Sequence, residues 1–397
     1  MYRATPILLL SLGLTLAAAC SDDKPSTPGP GGDVIDAAVS PEPEAVLRDL
    51  GEIVIVPTLE QLHQRAGELV VASRALCEAP GSAGLDSARA AWRAARAPWK
   101  QSEAFRFGPV IDLRVDSAVD FWPLRLSSVQ AELAKDTPVP EDYASTLGDT
   151  VKGLPVIEYL LFDGGDVGAD ATQEDIDAAV LARLASSEDG AEPTATRTCD
   201  YLVALSVDVE LRAKLLRDAW SPDGDNFVDA LASSGEAGGA YDDRGKAISA
   251  IVNAFVQLIQ EVEGTKLATP LGLRDGGTPQ PEAAESWRSG NSRQDILDNL
   301  AGIQSVYQTR YGDTTGASFE RAVAAIDPAL DSAIRAQLSA AIAAVEAIEG
   351  PLDEAVVDAP AAVDAAFQAN KELLRYMAVD MVNVLGVTLS FSDNDGD

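Results

Sequence analysis

The sequence predicts an all-α protein built from packed long helices. Three observations carry that reading. Apolar residues recur at three- and four-residue spacing through nearly every long segment. Strand signals are almost absent, the one short run being "EIVIV" at 52–56, which leads straight into Pro57. Only two longer irregular stretches interrupt the pattern, "FGPVIDLRVDSAVDFWPLRL" and "TPLGLRDGGTPQPEAAESWRSGN".

The folded part begins near Val46. "LEQLHQRAGELVVASRALC" is the first strongly periodic segment. "SAGLDSARAAWRAARAPWKQSEAF" follows, its alanines favouring helix. After the first irregular stretch comes "KGLPVIEYLLFDGGD", in which Glu158 stands inside an apolar run. Pro155 lacks an N–H and suits the first turn of a helix, so Gly153-Leu154-Pro155 reads as a helix start with Glu158 in its first turn or just beyond. "ATQEDIDAAVLARLASSE", "CDYLVALSVDVELRAKLLRDAW" and "GKAISAIVNAFVQLIQEVEGTKLA" continue the pattern. "SRQDILDNLAGIQSVY", "DPALDSAIRAQLSAAIAAVEAIEGPLDEAVV" and "VDAAFQANKELLRYMAVDMVNVLG" complete it, the last with a Gly C-cap.

The irregular stretches echo each other. "EAFRFG" begins at Glu103 and "ESWRSG" at Glu285, which suggests two helical-bundle halves related by internal duplication, residues 46–200 and 201–397.

Residues 1–19 read as a signal peptide: Arg3 gives a positive start, "PILLLSLGLTLAAA" is apolar but too short to span a membrane, and small residues precede Cys20. That pattern is close to a bacterial lipoprotein signal, with Cys20 as the acylated first residue; an ordinary secretory signal is the alternative. Residues 20–45 are rich in Pro, Gly, Ser and acid and read as a disordered tether. Lipid on Cys20 would anchor the protein in the cell envelope. Ser21 is compatible with the outer rather than the inner membrane, leaving a periplasmic or cell-surface position open. Cys77 and Cys199 are a disulfide candidate in an oxidising compartment, with two buried free thiols as the alternative.

The formal net charge is −33, which argues against nucleic acid and against anionic membrane surfaces as partners. It suits a solvated surface or one that attracts cations. Catalytic staples are scarce. His63 is the one histidine and reads as a surface residue on a polar helix face. There is no zinc helix, no phosphate loop and no dinucleotide fingerprint. What remains is carboxylates in apolar settings, Glu103 and Glu158. A buried charge needs a partner. Either arginines hold these two, with Arg106, Arg114, Arg288 and Arg293 nearby in sequence, or they form a cation site or polar ligand pocket. The terminal "SFSDNDGD", with Asp393, Asp395 and Asp397, begins like a calcium loop but lacks the closing Glu.

Taken together, "AWRAARAPWKQSEAFRFGPV", "DFWP", "KGLPVIEYLLF", "ESWRSGNSRQDILDNLAGIQSVY" and "LGVTLSFSDNDGD" resemble the imelysin family of bacterial cell-envelope proteins, over nearly all of the folded chain. The resemblance implies two bundle-like halves with a shared site at their junction, and exported or lipid-anchored proteins often linked to iron uptake. The founding member was described as a metallopeptidase. The family's signature Gly-x-His-x-x-Glu stands here as Gly153 to Glu158 with Pro155 in place of the histidine. Proline is neither ligand nor base, so peptidase activity is disfavoured.

The resemblance carries over Glu103, Asp112, Trp122, Glu158, Ser286 and Arg293 as ligand-binding candidates, with Glu103 and Glu158 as the metal candidates for an iron or calcium ion. The expectation is a non-enzymatic envelope lipoprotein that binds a metal ion or a small polar ligand in the service of iron acquisition. The alternatives are a degenerate metallopeptidase, or a tethered module whose partner is another envelope protein such as a transporter.

Overall fold

A computed structural model describes residues 40–165, 167–168, 171–185 and 195–389. The signal segment, Cys20, all but the last residues of the tether, and the terminal aspartates lie outside the described residues.

The described chain is all-α, as the periodicity predicts. Helix α1 (Pro43–Asp49) passes through a π-helical segment, Leu50–Ile55, into α2 (Val56–Glu78). The "EIVIV" run is therefore helical. Its Val54, Ile55 and Val56 are buried against the core, and burial overrides the β preference of branched side chains. Three residues then turn the chain into α3 (Ser82–Ser102), which ends in the 3₁₀ turn Glu103–Phe105. The first irregular stretch holds α4 (Pro109–Asp112), α5 (Val115–Val119) and α6 (Leu126–Leu133).

Gly153 makes the entry to α7 (Leu154–Phe162). Its φ is +87°, and a Cβ there would stand 2.4 Å from the Val119 carbonyl oxygen. Pro155 falls in the first turn, and all nine residues of α7 are buried, Glu158 among them. Helices α8 (Gln173–Ala185) and α9 (Ala195–Trp220) follow. The boundary expected at 200/201 falls inside α9.

Helices α10 (Phe227–Ala232) and α11 (Arg244–Gln260) come next, α11 opening on Asp243, whose side chain accepts from the amides of Gly245 and Lys246. A second π-helical segment, Glu261–Ala268, continues it. After the second irregular stretch, with its 3₁₀ turn Trp287–Ser289, come α12 (Ser292–Gln308) and the two-residue strands β1 (Arg310–Tyr311) and β2 (Thr314–Thr315). These pair antiparallel and are the strand content of the described residues. Helices α13 (Phe319–Ile326), α14 (Pro328–Glu346), α15 (Leu352–Asp358) and α16 (Pro360–Arg375) lead to a π-helical Tyr376–Met381 and α17 (Val382–Leu385). Gly386, at φ +65°, ends α17 as the predicted Gly C-cap.

Helix α2 packs on α3 and α9, α14 packs on α16, and α3 meets α12 between these groups. Gly302 permits that central approach: a Cβ there would stand 2.3 Å from the Gln101 carbonyl oxygen. One continuous apolar core runs through all of these elements. An internal duplication is not confirmed. Cys77, near the end of α2, and Cys199, at the start of α9, form the disulfide, with 5.5 Å between their Cα atoms. Among the described residues no helix is long and apolar enough to cross a membrane.

Candidate functional site

Where α3 meets α12 the core is charged. Arg96 and Lys100 lie one turn apart on the buried stripe of α3, each 1% exposed. Such side chains are almost never buried unless paired, and here the pairing is dense. The Lys100 ammonium stands 2.6 Å from Asp120, 3.0 Å from Glu103 and 2.5 Å from Glu285. The Arg96 guanidinium contacts Asp120 at 3.0 Å, Glu285 at 3.0 Å and Asp295 at 2.9 Å. Lys266, aimed inward from the π-helical continuation of α11, reaches Glu285 at 2.8 Å, and donates to the Asn299 side-chain oxygen at 2.7 Å. Asn299 in turn donates to Glu103 at 2.7 Å. Ser286 and Asn291 donate to Asp295, each at 2.7 Å, and the Trp99 indole donates to Asp120 at 2.8 Å.

Electrostatics follow from this arrangement. Burial alone would raise the Glu103 carboxyl, but Lys100 and Lys266 outweigh it and hold the group at about 2. Glu285 is held well below the carboxylate range against the same burial, by Lys100, Lys266 and Arg96. Lys100 is raised well above the usual lysine range because Asp120, Glu103 and Glu285 outweigh its burial. Both Glu103 and Glu285 are therefore ionised and fully occupied by the protein's own cations.

Glu158 is in a different situation. Its carboxylate accepts from the Ser289 amide at 2.9 Å and the Ser289 hydroxyl at 2.8 Å, and no cation lies within ion-pair distance of it among the described residues. Burial pushes it up to about 7, against the pull of Arg96 and the Ser289 hydrogen bonds. Glu103 and Glu158 thus have separate hydrogen-bond and ion-pair partners. Among the described residues no group of three or more His, Cys, Asp or Glu side chains could hold a metal ion.

The other expected residues divide. Ser286 is in the network. Arg293 instead donates to the Ile348 carbonyl at 2.5 Å, tying the start of α12 to the loop after α14. Asp112 is exposed at the end of α4, and Trp122 is half-buried beside its cis bond to Pro123. None of these three makes a hydrogen bond or ion pair to the network among the described residues. His63 is not a free surface residue: it is half-buried and shares a 2.7 Å hydrogen bond with Arg217, away from the network.

Ser289 also lines a cleft of about 340 Å³. Its walls come from both sides of the α3–α12 join: Arg89 and Arg93 of α3, Phe162 of α7, Ile176 of α8, the Trp287–Gly290 turn, and Asp353 of α15.

An all-helical bundle with a buried lysine–arginine–carboxylate network beside a polar cleft defines the class of protein. The family model described as Imelysin matches residues 55–377, and the chain belongs to the imelysin family. It is similar to Iron-regulated protein A of Synechococcus elongatus, 28% identical over 303 residues, covering 76% of this chain and 74% of that one. Two crystal structures share the fold. The protein assigned as an iron-regulated protein A precursor in Parabacteroides distasonis has a TM-score of 0.69 at 23% identity, covering 87% of this chain and 96% of that one. An imelysin-like protein from Psychrobacter arcticum has a TM-score of 0.65 at 16% identity, covering 89% and 99%.

Proposed function

We propose that this imelysin-family chain is a binding protein of the bacterial cell envelope, tethered through Cys20. It takes a small polar ligand in the cleft beside Glu158 and serves iron acquisition. The observation that carries the reading is the occupancy of the acids. Glu103, a leading metal candidate, is saturated by Lys100, Lys266 and Asn299, so this centre has its cations built in. Glu158 has two donors from Ser289 and, among the described residues, belongs to no group of three or more His, Cys, Asp or Glu side chains that could hold a metal ion. Hard cations take several oxygen ligands at once, and this donor set does not offer them. The cleft has the volume of a small-molecule site. The link to iron is taken from the names of the relatives, and the envelope position from the signal segment. Peptidase chemistry has no histidine at position 155 to support it.

Native mass spectrometry of the chain purified gently from its own envelope tests this. The expected result is a mass excess of one small organic molecule. A chain that carries no such excess, or a stoichiometric metal alone, overturns the reading.

A further inference from the structure

Two guanidiniums of α3 line the cleft, and their charge is not fully answered. Arg89 and Arg93 are one helical turn apart on α3, and both lie over the Phe162 ring, at 5.1 and 4.7 Å from its centroid. Like charges at this spacing repel unless an anion joins them. Arg89 is buried, with 8% of its side chain exposed. Its Nε donates to the Leu161 carbonyl at 2.8 Å and its Nη1 to Asp177 at 2.6 Å. Its Nη2 is buried without a hydrogen-bond partner. Arg93 donates to the Ser289 carbonyl at 3.0 Å and makes no ion pair with any described residue. Burial and the nearby Arg89 push its guanidinium down from the usual arginine range, against the pull of the Glu158 carboxylate. The third guanidinium, Arg288, is answered by Asp163 at 2.7 Å.

The lining also has the opposite deficit. Asp353 Oδ1, on α15, is buried with no side-chain donor, Glu354 is its neighbour in sequence, and Asp86 of α3 also lines the cleft. The buried Arg89 donor and the buried Asp353 acceptor are each costly unless a ligand completes them, and Arg93 adds an exposed cation beside Arg89 that has no ion pair among the described residues. A polyanion would also meet Asp86, Asp353 and Glu354 of the lining. Phe162, Ile176 and Trp287 offer apolar surface between.

We propose that the cleft binds a small α-amino or α-hydroxy acid, its carboxylate on Arg89 and Arg93 and its ammonium or hydroxyl donating to Asp353. Arginine suits the first role because its planar fork matches a carboxylate. This inference rests on the ligand-binding reading above and adds the ligand's class.

Three probes of one size separate the contributions: L-leucine, its 2-hydroxy analogue, and 4-methylpentanoate, which has neither donor. Inorganic phosphate is the fourth. Calorimetric titration of the wild type should show the amino or hydroxy acid binding at least tenfold more tightly than 4-methylpentanoate, and more tightly than phosphate. Arg93→Gln should weaken that binding at least tenfold. Arg93 is exposed and has no ion pair to lose, so this variant should fold as the wild type does by circular dichroism. Asp353→Ala should remove the preference over 4-methylpentanoate. No binding by any of the acids, binding unchanged in Arg93→Gln, or phosphate bound as tightly as the acids overturns the assignment. If it fails while an organic molecule still co-purifies with the chain, the class is wrong and the ligand-binding reading stands; if nothing co-purifies, both fall.

Discussion

Glu158 and Glu103 show how one residue type acquires two characters from its partners. Glu103 is depressed to about 2 by two ammonium groups that outweigh its burial, while Glu158 is raised to about 7 by burial that one serine does not offset. The signs of their linkage to folding are opposite. Glu103 contributes stability that is fully present above its unfolded value of 4.5 and is lost as pH falls from there toward 2. Glu158 binds its proton more tightly when folded, so its contribution is greatest below 4.5 and is lost as pH rises from 4.5 to about 7. Urea denaturation across pH should therefore show stability falling between pH 4.5 and 7. Glu158→Gln keeps an oxygen to accept from Ser289 and should flatten that fall, gaining up to about 3 kcal/mol at pH 8 and little at pH 4.5. A variant that is no more stable than wild type at pH 8 contradicts the assignment. Both acids were visible in the sequence because a carboxylate inside an apolar run stands out. Their partners were not: Arg96 meets Asp295 across 199 residues, and no local pattern reports such a pair. The available signal was that Arg89, Arg96 and Lys100 fall on the same stripe of α3 as Leu85, Trp92 and Trp99.

At the scale of elements, the α3–α12 contact sets the site. Its network spans both helices, the π-helical turn that aims Lys266, and the 284–291 loop that supplies Glu285, Ser286 and Asn291, while Ser289 of the same loop holds Glu158. The closeness depends on Gly302. Gly302→Ala would drive a Cβ into the Gln101 carbonyl, and overpacking of this kind costs about 1–3 kcal/mol. Thermal denaturation should show the loss, and a variant with wild-type stability would mean that the helices are free to separate. Helix positions were legible from the 3.6-residue period, and the α7 entry from Gly153 and Pro155. The π-helical segments were not, because they follow the same periodicity until tertiary packing shifts their hydrogen bonds. Glu103 and Glu285, the first residues of the two echoing stretches, meet at the same lysines, yet this shared contact does not by itself establish a repeat.

For the whole molecule, the all-α class followed from periodicity and the disulfide from two cysteines outside the signal segment; the expectation of a shared site between the early and late helices came from the family resemblance. The nature of that site was not legible. A strongly acidic chain, with 63 acidic against 30 basic side chains, suggests cation binding from composition alone. In the fold, three of those few cations are spent inside the network, and three more line the cleft. The most direct measurement is calorimetric titration of ferrous, ferric, calcium and zinc ions into the wild type and Glu158→Gln. The account predicts no saturable metal site that depends on Glu158. A one-to-one site present in the wild type and abolished in Glu158→Gln would contradict it.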